Sequence, residues 1–193
     1  MSRRTLAATV VALATLTGCS AEEAQMGALA PISAVIESFT PASGRTDPAF
    51  AQLNTLVLEA PRLAAQAAAS LTTASREQTR LGAIYVLGLT ARSPRELAAL
   101  RRALGDRILE HRVIAAGALV GMGEKEAIPV LIEALRRTGR LPFSNVSEAA
   151  HAAEALGAYT GQDLGSDAEA WSDWFEAEGP ALTWDDTERR FRS

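Results

Sequence analysis

From Asp47 onward, apolar residues recur at the three- and four-residue steps of a helix, with no strand-like alternation. Asp47-Pro48 reads as an N-cap followed by proline at the first helical position, and Pro61 opens an alanine-rich stretch to about Leu71. Arg76 to Leu89 carries Leu81, Ile84, Tyr85 and Gly88 on one stripe. Ser93-Pro94 caps the next helix, where Leu97, Leu100 and Leu104 form a narrow apolar face and Arg95, Arg101 and Arg102 stay outside it. His111 to Val120 follows. Ile128, Leu131, Ile132 and Leu135 make another stripe, and Ser147 to Tyr159 a last one. Before all of these, Leu29, Ile32, Ile36 and Phe39 predict a short helix that Thr40-Pro41-Ala42-Ser43-Gly44 ends.

The helical segments repeat. Arg80 to Gly88 aligns with Arg112 to Val120 at a step of 32 residues, and Ala115 to Val120 aligns with Ala152 to Gly157 at a step of 37. The Leu97, Leu100, Leu104 pattern returns as Ile128, Leu131, Leu135 at a step of 31. Each unit is therefore two helices, one narrowly amphipathic and arginine-rich, the other small and apolar. In this the chain resembles the HEAT-repeat family, in its short bacterial, phycobilin-lyase-type form. Asp106, six residues before Arg112, resembles the Asp–Arg ladder of that family. Position 74 is Ala where an Asp would precede Arg80. The resemblance implies an all-α fold: a short right-handed α-solenoid of about three helix pairs.

After Thr160 to Gly165, Ser166 and Glu169 have capping-box spacing, with Ser at N-cap and Glu at N3. Trp171, Trp174 and Phe175 follow on one face. A stack of helix pairs leaves its last apolar face open, and terminal units must cover it. These five residues are expected to form a C-terminal capping helix. Residues 179–193 read as a polar tail.

The N-terminus changes the picture from fold to place. Arg3-Arg4 precedes an apolar run from Leu6 to Leu16, and no charge falls between Thr5 and Ala21. The run is too short to span a bilayer, which takes about 20 apolar residues. The layout is that of an export signal, and Leu16-Thr17-Gly18-Cys19 resembles the lipobox of bacterial lipoproteins. That resemblance implies cleavage before Cys19 and a lipid on its thiol. The expected domains are a signal peptide over 1–18, a tether with a possible short helix over 19–46, a repeat domain over 47–178 and the tail. Sec and twin-arginine export both stay open. Ser20 is not Asp, which in a cell with two membranes resembles outer-membrane sorting.

Composition narrows the partners. Cys19 is the sole cysteine, so no disulfide or cysteine metal site can form within the monomer. Loss of residues 1–18 removes two arginines and no acid, taking the formal charge from −4 to −6. That argues against a nucleic-acid partner. His111 and His151 are the only histidines, and no acid follows either at metalloprotease spacing. His111, between Glu110 and Arg112, reads as a solvated helix start. Glu124/Glu126 and Asp185/Asp186 suit helix starts and a polar tail rather than paired-carboxylate chemistry. No catalytic, cofactor or metal site is expected. The functional expectation is a non-enzymatic, lipid-anchored envelope scaffold that binds a protein partner through its repeat surface. The competing reading is a ligand-binding or lyase-related protein with a pocket on the concave helices.

Overall fold

The structure, a computed structural model, describes residues 21–40, 48–137 and 148–193. Among them the chain is mostly helical: nine α-helices and one small hairpin. The helices are α1 (Ala21–Glu37), α2 (Pro48–Glu59), α3 (Pro61–Leu71), α4 (Glu77–Thr90), α5 (Pro94–Ala103), α6 (Leu109–Val120), α7 (Ile128–Leu135), α8 (Glu148–Thr160) and α9 (Ala168–Glu178). The strands are β1 (Thr183–Asp185) and β2 (Arg190–Arg192).

Local chemistry starts several of these helices. Ser93 accepts from the Glu96 N–H, and Glu96 reaches back to the Ser93 N–H at 2.9 Å, so α5 opens on a full capping box with Pro94 in its first turn. α6 ends at Gly121 and Gly123. Gly123 has φ +88, and a Cβ there would meet Trp184 Cγ at 2.7 Å, so both the turn and the packing require glycine.

The helices pack in sequence as α3 on α4, α5 on α6 and α7 on α8. The second helices also touch in order, α4 on α6 and α6 on α8. α3 buries Ala64, Ala65, Ala67, Ala68 and Ala69, side chains small enough for a close approach to α4. Leu87, Leu100, Leu119, Leu131 and Leu156 are fully buried, each contributing roughly 1.5–3 kcal/mol by burial. One continuous core runs from Ile32 to Phe191.

Two segments differ from the sequence reading. The N-terminal element begins at Ala21 rather than near Leu29, with Pro31 inside it, and its end docks on α3 and α4. Phe39 seats edge-on to Phe50 at 4.9 Å, over Gly82. Residues 179–193 are not a polar tail but a 3-10 turn and a hairpin. Thr183 pairs with Arg192, Trp184 with Phe191 and Asp185 with Arg190. Leu182 and Phe191 are buried while their polar neighbours face out. Strands of three residues are too short for alternation to register as a pattern.

Candidate functional site

The C-terminal ends of α4, α6 and α8 converge on a cleft of about 380 Å³, closed on one side by the hairpin. Gly88 comes from α4 and Ala91 and Arg92 from just past its end, Leu97 from α5, Ala118 from α6 and Gly121 and Met122 from the turn after it, and Tyr159 from α8. The hairpin adds Trp184, Asp186 and Arg189. Lys125, the chain's sole lysine, holds the segment that leads into the hairpin. Its Nζ donates to the carbonyls of Gly179, Pro180 and Leu182 at 3.0, 3.0 and 3.1 Å. Trp184 is fixed from several sides. Its ring lies edge-on to Phe191 at 5.0 Å and 6.3 Å from Tyr159, and its Nε1–H donates to Asp186 at 3.1 Å. Arg189 Nη2 donates to the Gly121 carbonyl at 3.0 Å and Arg92 Nη1 to the Ala91 carbonyl at 2.6 Å. Cations suit these positions, because helix C-termini carry partial negative charge.

A second polar constellation lies inside the helix stack. Asp106, its side chain 6 % exposed, accepts Arg80 Nε at 2.7 Å, His111 Nδ1 at 3.1 Å and the Ile108 N–H at 2.9 Å. Burial opposes its charge, but Arg80, the Ile108 N–H and His111 outweigh burial and hold the carboxyl well below the usual carboxylate range. Because a carboxylate only accepts, the proton sits on His111 Nδ1. His111 Nε2 then has no hydrogen-bond partner among the described residues. His111 is 0 % exposed, which corrects its reading as a solvated helix start: Asp106 draws the ring inward.

The Asp106–Arg112 ladder pair also differs from expectation. Arg112 reaches only the backbone carbonyl of Asp106, at 3.1 Å, and its other arm donates to Glu133 at 2.8 Å. The carboxylate belongs to Arg80, one unit earlier, whose Nη1 in turn donates to the Ala74 carbonyl at 3.1 Å. Arg80 and Arg112 thus do the same thing: each donates to a carbonyl six residues back and reaches an acid of the next unit. The step of 32 between them is the sequence signal for this equivalence, whereas the family resemblance points to Asp106 with Arg112.

Glu110, beside His111, has a buried Oε1 with no hydrogen-bond partner among the described residues. Burial first, then the charges of Glu148 and Glu77, push its carboxyl up to about 7. A raised carboxyl means the folded state holds its proton more tightly than the unfolded state. Stability should therefore fall as pH rises from 4.5 to about 7 and level off above that. Glu110→Gln should flatten this slope and raise the melting temperature at the alkaline end. A Gln variant with an unchanged slope would place the titration elsewhere.

Other predicted residues fall as follows. Cys19 and residues 1–18, expected as a signal peptide, lie outside the described residues, as do Asp47 and Ser147. Ser166 does not cap α9. Asp167 does, its Oδ1 accepting from the Glu169 and Ala170 N–H groups at 3.0 and 3.1 Å, because the helix starts one residue later than the Ser-x-x-Glu spacing implies. Glu169 therefore lies in the first turn one place before N3. Trp171 is fully buried, and Trp174 and Phe175 are half-buried beside it. α9 packs on α7. No group of metal-ligating side chains occurs among the described residues, and none of their helices is long and apolar enough to cross a membrane.

No known protein-family model matches the chain, and no curated protein matches it. Arg92, Tyr159 and Arg189 were missed as a group from sequence. They come from three distant segments that share no local motif.

Proposed function

We propose that this protein is an exported scaffold, anchored by lipid on Cys19, that binds a protein partner of the cell envelope through the surface of a short right-handed HEAT-like solenoid. The observation that carries the reading is the serial packing of α3/α4, α5/α6 and α7/α8, with the second helices in contact from one pair to the next. It is supported by the arginines that tie unit to unit, Arg80 to Asp106 and Arg112 to Glu133. Units joined this way offer an extended surface. On α5 the exposed Arg95, Arg101 and Arg102 present a charged row to a partner. α9 then serves as the end cap, through Trp171, Trp174 and Phe175. In a cell with two membranes, Ser20 after the cysteine directs the protein to the outer one.

Firm anchoring takes more than one acyl chain, because a single chain holds a membrane only marginally. Cys19→Ala should therefore move the protein from the membrane fraction to a soluble or uncleaved form. Cross-linking in intact cells should capture a partner with the wild type and lose it when Arg95 and Arg102 are reversed to Glu. An unchanged membrane fraction for Cys19→Ala, or a cross-link indifferent to charge reversal, overturns the corresponding half of the reading.

A further inference from the structure

We infer that the cleft between α4, α6, α8 and the hairpin is a binding site for a small aromatic carboxylate. This goes beyond the scaffold reading and does not depend on it. The volume, about 380 Å³, lies in the range of small-molecule sites and is too small for a folded partner. Its wall is aromatic. Trp184 is locked by Gly123, Phe191 and Asp186, so its ring is set before any ligand arrives, and Tyr159 flanks it. Met122 and Leu97 add apolar atoms beside the two rings, in a lining whose exposed surface is otherwise mainly polar, and the thioether is able to adapt to the outline of a flat body.

The polar side of the cleft is cationic on an otherwise acidic chain, whose formal net charge is −4. Arg92 and Arg189 are exposed, and each spends one donor on a helix-terminal carbonyl. Among the described residues neither guanidinium has a carboxylate at ion-pair distance, whereas Arg80, Arg101, Arg112 and Arg192 each have one. Asp186 keeps its charge while it accepts the Trp184 indole N–H, and Glu96 accepts the Arg92 backbone N–H at 2.7 Å, so the two guanidiniums stand beside these acids without pairing with them. A guanidinium with donors to spare matches the two oxygens of a carboxylate. Arg189 also stands at φ 52, the sole non-glycine residue in the left-handed region among those described. Such a conformation costs an ordinary residue about 1 kcal/mol or more, and glycine or asparagine would hold the turn with less strain. The side chain kept there is one that reaches the cleft.

The test is a titration of the full chain in detergent with naphthoate, followed by tryptophan emission with empty micelles subtracted. Neutral naphthalenemethanol serves as the isosteric control. Saturable quenching by naphthoate is expected, lost in Trp184→Phe. Affinity should fall about tenfold in Arg189→Gln and again in Arg92→Gln, the scale of one lost charge-assisted hydrogen bond. The alcohol should not saturate. Both arginines are exposed, so these variants should melt like wild type and keep the test readable should Trp184→Phe loosen the hairpin. Absence of saturable binding, equal affinity for acid and alcohol, or affinity unchanged in both arginine variants overturns the site.

Discussion

Asp106→Ala is expected to cost about 3–5 kcal/mol, the scale for removing one partner of a buried pair. Arg80, its side chain 9 % exposed, would keep its charge with no carboxylate beside it, and His111 would lose the acceptor of its Nδ1 proton. The Ile108 N–H would also lose its acceptor at the turn into α6. With total stabilities of about 5–15 kcal/mol for ordinary domains, a loss of this size reaches the whole fold. Denaturant melts check it. A double variant, Arg80→Met with Asp106→Leu, should recover only the share of the loss that comes from the unpaired Arg80 charge, since the His111 Nδ1 and Ile108 N–H donors still lack their acceptor. A single variant within about 0.5 kcal/mol of wild type, as for an ordinary surface change, would mean that the pair is solvated. The same carboxylate shapes the acid side of the stability curve. Its folded-state value lies below its ordinary value of 3.8, so its stabilisation is present above that pH and is lost as pH falls further. Glu110 acts in the opposite sense between 4.5 and about 7.

Trp171→Ala should cost about 3–5 kcal/mol. The ring is 0 % exposed, its Nε1–H donates to the Gly165 carbonyl at 2.9 Å, and it stands edge-on to Trp174 at 5.5 Å. Truncation leaves a cavity the size of an indole and a loop carbonyl without its donor. α9 leads directly into the Lys125-held turn and the hairpin, so loosening it should also open the cleft. Thermal melts and the accessibility of Trp184 to a soluble quencher measure both effects. A ring with no exposed surface offers no face to a ligand, so a Trp171→Ala protein that melts like wild type would contradict the packing itself.

The residues legible without coordinates were those whose role depends on spacing along one helix. Leu100, Leu131 and Ile128 lie on stripes set by the 3.6-residue period, and each is fully buried. Ser93-Pro94 marks a helix start in the sequence, and the structure adds Glu96 as the second half of a capping box. The aromatic face of α9 was visible in the same way, while its cap was misplaced by one residue. Ser166 and Asp167 are both good N-caps, and only the path of the chain from Gly165 selects between them.

What the sequence by itself determined is a mostly helical chain with its apolar stripes and its repeat steps, because helix period and helix starts are local properties. Only the tertiary structure decided which charges meet. Arg80 and Asp106 are 26 residues apart, and their pairing depends on how one helix pair sits on the next. His111 is buried for the same reason: its neighbours in sequence are polar, but its neighbours in space are Asp106 and the helix stack. The hairpin strands are three residues long and gain their stability from Lys125, Gly123 and α8 rather than from their own pattern. The cleft follows from all of these, since Arg92, Tyr159 and Arg189 share no local motif and are brought together only by the convergence of three helix ends.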